Sequence, residues 1–142
     1  MAGKLTTLIR LNKWTVDERR RELGLLLAQE EALNQTLQRL FEELAAEQRF
    51  AAEHALEGGA LYGAYARAHI TRRDGIRTQI AALEKEILAA RDRLAEAYRE
   101  LKTYETAQAN REKAERLEEG RREQKIQDEV GQTLHRRRIQ TT

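Results

Sequence analysis

The sequence predicts an all-α fold, a long two-helix antiparallel coiled-coil hairpin with unequal arms, and three observations lead there. Leu23, Leu26, Leu33, Leu37, Leu40 and Leu44 recur on alternating steps of three and four, and so do Ile76, Ile80, Leu83, Ile87, Ala90, Leu94, Ala97, Leu101 and Tyr104. Such spacing gathers the apolar side chains onto one narrow stripe of a helix, the seam of a coiled coil. Gly58-Gly59 lies between the two stretches, where glycine can end a helix. The chain after the second stripe is longer than the chain before the first, so the arms are unequal.

Composition agrees. Charged residues make up 35% of the chain, aromatics only 5%, and proline is absent. A charged, aromatic-poor chain would be disordered without periodicity; with a 3.5-residue period it reads as long helix. The net charge is +2 against 26 basic and 24 acidic residues, so opposite signs alternate on solvated faces instead of forming a phosphate-binding stripe. Without cysteine there is neither a disulfide framework nor a thiolate metal site. No apolar run approaches the ~20 residues that span a bilayer, and Met1 to Trp14 lacks the pattern of a secretory signal. The expected setting is cytoplasmic.

The first helix is expected over about 5–56. Its seam extends backward through Leu5, Ile9, Asn12 and Val16, which favours an early start. Thr15 and Glu18, a possible capping box, favour a later one. Glu30 and Glu47 fall on the seam, where long side chains can reach back to water. A bend is expected at about 57–66, and the less regular run from Ala60 to Asp74 is a loop, a short helix or the ragged start of the next element. The second helix is expected over about 67–137. With the turn centred on the glycine pair, facing residues sum to about 117: Leu37 meets Ile80, Leu33 meets Leu83, Leu23 meets Leu94 and Val16 meets Leu101. The chain from about 117 onward then has no partner helix. If helical, this overhang projects on the order of 39 Å.

Catalytic chemistry finds no foothold. His54, His69 and His135 are scattered, without carboxylates at metal-binding spacing, and read as solvated surface histidines. No phosphate-cradling loop is present, and the carboxylates lie on exposed faces where nothing raises a pKa for acid–base work. No cofactor, metal or small-molecule ligand is expected. Leu61, Tyr62 and Tyr65 either cover Leu44 and Phe50 at the hairpin end or form a recognition patch. Phe41 sits beside the seam and Trp14 at the open end of the hairpin, both with exposed area a partner could take. Along the overhang Ile126, Val130 and Leu134 recur every four residues, either a solvated stripe or a helix face that docks on another protein. Arg136-Arg137-Arg138 could neutralise only a few phosphates, so nucleic acid is not expected as a partner.

Two stretches carry a family resemblance. Leu5-Thr6-Thr7-Leu8-Ile9-Arg10-Leu11 with Asp17-Glu18 and Arg21-Glu22-Leu23 is similar to the opening pattern of the FliJ family of flagellar export proteins. Glu123-Gln124-Lys125 with Asp128-Glu129 and the trailing arginines is similar to its closing signature. The resemblance implies a non-enzymatic stalk of the flagellar type III export apparatus at the cytoplasmic face of the inner membrane. It implies binding to the hexameric export ATPase through the free termini, here Leu8, Leu11 and Trp14 with Gln124, Lys125, Ile126, Asp128, Glu129, Val130 and Leu134. It further implies contact with the export gate, where Leu40 and Phe41 fall on the matching face, and engagement of export chaperones. Glu43 and Glu47 stand where that face carries tyrosines. The rival reading is a homodimeric scaffold that buries Phe41 and the overhanging stripe against a second copy.

Overall fold

The computed structural model describes residues 2–141, with side chains for all of them except residue 2 and residues 55–60. Two helices account for the described chain: α1, Ala2–Glu53, and α2, Ala55–Thr141. They are 52 and 87 residues long, which makes the two-helix hairpin unequal as the sequence predicts. Alanine, leucine, arginine and glutamate fill both, all strong helix formers, and no proline interrupts them. Thr15 lies inside α1, so the early start holds and the Thr15–Glu18 capping box is not a helix beginning.

His54 is the single residue between the helices. Its N–H still donates to the Phe50 carbonyl at 3.0 Å, and its ring stacks on Phe50 with centroids 4.4 Å apart. The sequence assigns the break to Gly58-Gly59, but both glycines lie within α2 and the helices are interrupted at His54 instead; among the described residues no glycine takes the positive φ with which it would end a helix. The bend expected at about 57–66, and the run on to Asp74, are helical throughout in α2.

By contacts the chain divides into two units. The larger comprises Trp14–Tyr98 and is an antiparallel helix pair. Its cross-helix partners are Glu22 with Arg93, Glu43 with Arg73's neighbour four residues back, His69, and Phe41 with Arg77. These residue numbers sum to 115, 112 and 118, close to the register expected from the sequence. The core is the seam itself: Val16, Leu40, Leu83, Ile87, Ala90 and Ala97 are buried. Ala90 is fully enclosed, as expected where a small side chain lets two helix backbones approach. Glu30 is half-buried on the seam and Glu47 is exposed.

The α2 seam runs further back than its apolar residues. His69 is buried at 5% exposure, and Tyr62, Ala66 and Arg73 beside it are half-buried, continuing the three-four steps from Ile76. His69 is therefore not the surface histidine its chemistry suggests, while His54 and His135 are exposed. Seam position decides burial here, not side-chain polarity.

The smaller unit comprises residues 1–13 and 99–142. Ile9 and Asn12 are its buried residues, with Leu5, Leu8, Leu101, Tyr104, Gln108 and Arg111 half-buried. Asn12 Nδ2 donates to the Leu8 carbonyl at 2.7 Å, so its donor is satisfied within α1. From Glu112 to Thr141 every residue is exposed.

Candidate partner-binding surfaces

The end of α2 shows how a polar helix holds itself together without a core. Arg122 reaches Glu118 at 3.1 Å, Arg111 reaches Glu115 at 3.4 Å, and Gln124 Nε2 donates to Asp128 Oδ1 at 3.2 Å. These contacts span one helical turn and each adds a few tenths of a kcal/mol, roughly 0.2–0.5. Ile126, inside the last of these contacts, and Val130 and Leu134, beyond it, are 60%, 52% and 55% exposed. Every fourth position on a helix keeps them on one slowly turning stripe. Lys125 and Glu129 flank it, both exposed. An apolar stripe with charged flanks that stays open to water is a surface suited to another protein.

The residues expected at the ATPase end are distributed as follows. Leu8 and Leu11 belong to the same unit as the Gln124–Leu134 stretch, Leu8 half-buried and Leu11 exposed. Trp14 falls in the larger unit, where 61% of its surface is exposed.

In the larger unit, the two residues expected at the gate face separate by burial. Leu40 is a seam residue with only 4% of its surface exposed, whereas Phe41 is 39% exposed. The Arg77 guanidinium stands over the Phe41 ring, 5.8 Å from its centroid. A shallow notch beside them is lined by Leu40, Phe41, Leu44, His69, Ile70 and Arg73. At its floor His69 turns Nδ1 to the Tyr65 carbonyl at 3.3 Å, and its ring lies against the Tyr65 ring at a 38° tilt with centroids 4.1 Å apart. Its Nε2 is 3.6 Å from the Glu43 carboxylate, within ion-pair reach but beyond a hydrogen bond, and is left without a partner. Desolvation, and then the negative charges of Glu47 and Glu43, hold the Tyr65 hydroxyl above its ordinary range. Of Leu61, Tyr62 and Tyr65, which the sequence leaves as either a cover for the hairpin end or a recognition patch, Leu61 is exposed and Tyr62 and Tyr65 are half-buried.

Sequence reading missed the floor of this notch. The signal was present: stepping back from Ile76 by three and four lands on Arg73 and His69.

Among the described residues no group of three or more His, Cys, Asp or Glu is placed to hold a metal ion, and no helix is long and apolar enough to cross a membrane. What the described residues offer is long helix surface, which defines a helical coiled-coil protein. It belongs to the FliJ family: the sequence model for the flagellar FliJ protein matches residues 1–140. Its role is therefore in flagellar export. No curated protein and no solved structure matches the chain.

Proposed function

We propose that this chain is a non-enzymatic stalk and coupling protein of the bacterial flagellar type III export apparatus, acting at the cytoplasmic face of the inner membrane. It binds the hexameric export ATPase through the start of α1 and the end of α2, with Leu8, Leu11 and Trp14 on one side and Gln124 to Leu134 on the other. The observation that carries this reading is the open Ile126–Val130–Leu134 stripe on a helix end whose every residue faces water. Family membership supplies the setting. A helix end of this kind, seated in a ring of identical subunits, touches them unequally. Unequal contact favours one subunit conformation over the others and so biases ATP turnover around the ring.

The export gate is the second partner, met through the Phe41 surface with Leu40 packed beneath it, and export chaperones are further partners. The test is direct. Added to the cognate export ATPase, the full chain raises its hydrolysis rate or stabilises its ring. A folded chain that neither binds the ATPase nor changes its rate overturns the reading.

A further inference from the structure

One side of the helix pair in the larger unit is built as a ladder. Arg20 on α1 lies over the ring of Tyr98 on α2, 5.2 Å from its centroid, and donates to its hydroxyl. Three heptads further along α1, Arg77 of α2 lies over Phe41. Both pairs of numbers sum to 118, so they are rungs of one register. Stepping by seven on each helix places two more positions between them: Leu27 across from Arg91, and Asn34 across from Glu84. The ladder spans 21 residues of α1, about 31 Å at 1.5 Å per residue.

Apolar area stays open along it at two places. Phe41 shares its notch with Ile70, 44% exposed, while Leu27, 37% exposed, stands across from Arg91 in this register, and Leu88, 60% exposed, lies three residues before Arg91 on α2. The openings recur with a two-heptad interval on α1, since Leu27 and Phe41 occupy the same heptad position. Each is bordered by an α2 arginine, Arg91 or Arg77, and those arginines are also two heptads apart. Both arginines are exposed, and among the described residues neither has a carboxylate within ion-pair distance. The charged rungs are three arginines and Glu84, and since Arg20 is already paired with Asp17 at 3.8 Å, Arg77 and Arg91 are the two left for a partner's carboxylates.

We infer that this ladder is a docking surface for an amphipathic helix with acidic flanks, laid along the pair as a third strand of the coiled coil. The inference rests on the Phe41 surface receiving a partner, and goes beyond it by naming that partner's chemistry and extending the footprint to Leu27 and Leu88. A heptad-spaced surface fits a heptad-spaced ligand: apolar residues two heptads apart fill the two openings, and carboxylates meet Arg77 and Arg91. The arginine forks, unpaired in this chain and already seated over or beside apolar side chains, suit carboxylates bidentately. A second copy of this chain is a poorer occupant, because its matching face brings arginine to arginine.

The test uses the full chain and two synthetic peptides of three to four heptads. Both have leucine at the seam positions, and one carries glutamate and the other lysine on the flanks. Anisotropy of a labelled peptide is expected to show the glutamate peptide binding about tenfold or more tightly, a difference of about 1.4 kcal/mol. In the R77E/R91E double variant the preference reverses, with helicity unchanged because both side chains are exposed. Equal binding of the two peptides, or a preference that survives the double reversal, overturns the inference, as does a sedimentation mass showing that F41S splits a dimer. Capture of the export gate's cytoplasmic domain is read in parallel. Capture lost in F41S without any charge preference among the peptides keeps the Phe41 assignment and overturns the acidic helix. Charge reversal with gate capture unaffected by F41S keeps the acidic helix and removes the gate.

Discussion

Arg93 on α2 donates to the Glu22 carboxylate on α1, and Arg19 reaches the same carboxylate from three residues away at 3.4 Å. One acidic side chain thus ties the two helices together at the edge of the seam. The hydrogen bond from Arg93 is the main cause that holds Glu22 below the ordinary glutamate value of 4.5, with desolvation opposing and the charges of Arg93 and Arg19 adding.

A group whose folded pKa is depressed stabilises the fold above its unfolded pKa and loses that contribution as pH falls through the folded one. Glu22→Gln therefore lowers the melting temperature at neutral pH, and the gap to wild type closes as pH drops below 4.5. Both partners are more than a third exposed, so the effect is small and shrinks with added salt. Thermal melts followed by circular dichroism across pH check it. A gap that persists unchanged in acid shows that packing, not charge, is responsible.

Ala90 has no exposed surface at all and sits on the seam between Ile87 and Leu94. Enlarging it forces the helices apart or pushes neighbouring side chains off their rotamers. Ala90→Leu is expected to destabilise by about 1–3 kcal/mol, although leucine is the commoner seam residue elsewhere in this chain. Urea unfolding gives the number, and a stabilised variant contradicts the close approach.

Both seams, the antiparallel register to within a few residues and the inequality of the arms were legible in the sequence, because apolar periodicity is a direct record of what faces a partner helix. The reading failed where that record is written in other residues. Tyr62, Ala66, His69 and Arg73 continue the seam with polar or small side chains, so α2 looked irregular over a stretch that is helical. The ladder was invisible for a different reason. Whether Phe41 meets Arg77 or the next residue along depends on register to a single position, which a turn of unknown geometry does not supply. The exposed tail stripe needed no register and was read from spacing alone.

His69 carries a testable cost. A buried ring nitrogen without a hydrogen-bond partner gives up its hydration and gets little back. At a seam position leucine fills similar space without that loss, so His69→Leu is expected to raise stability by about 1 kcal/mol. A fall instead means that the 3.6 Å approach to Glu43 contributes more than the desolvation removes. The double variant with Glu43→Gln separates the two.

Gly75 stands inside α2, and a Cβ built there meets nothing within 4 Å. Alanine at this position restricts the unfolded chain and suits a helix interior better. Gly75→Ala is expected to stabilise by about 0.5–1 kcal/mol in urea unfolding. If residues 61–74 were loop instead of helix, the substitution would leave stability unchanged, so the same measurement tests the continuity of α2.

The tail predicts a separation of stability from binding. Ile126, Val130 and Leu134 are each more than half exposed, so replacing all three by serine removes little buried area. Each exposed site is expected to change stability by no more than about 0.5 kcal/mol. Helicity and melting of the chain should therefore stay close to wild type. If the stripe is what the export ATPase holds, its apolar area is buried only in that complex. The triple variant then loses binding by about a hundredfold, since three truncated anchors together cost roughly 3 kcal/mol. Co-sedimentation with the ATPase hexamer reads this out. Loss of binding with an unchanged melt places the contact on the stripe. A variant that melts early instead shows that the stripe is held within the chain, and one that binds normally shows that the ATPase grips another face.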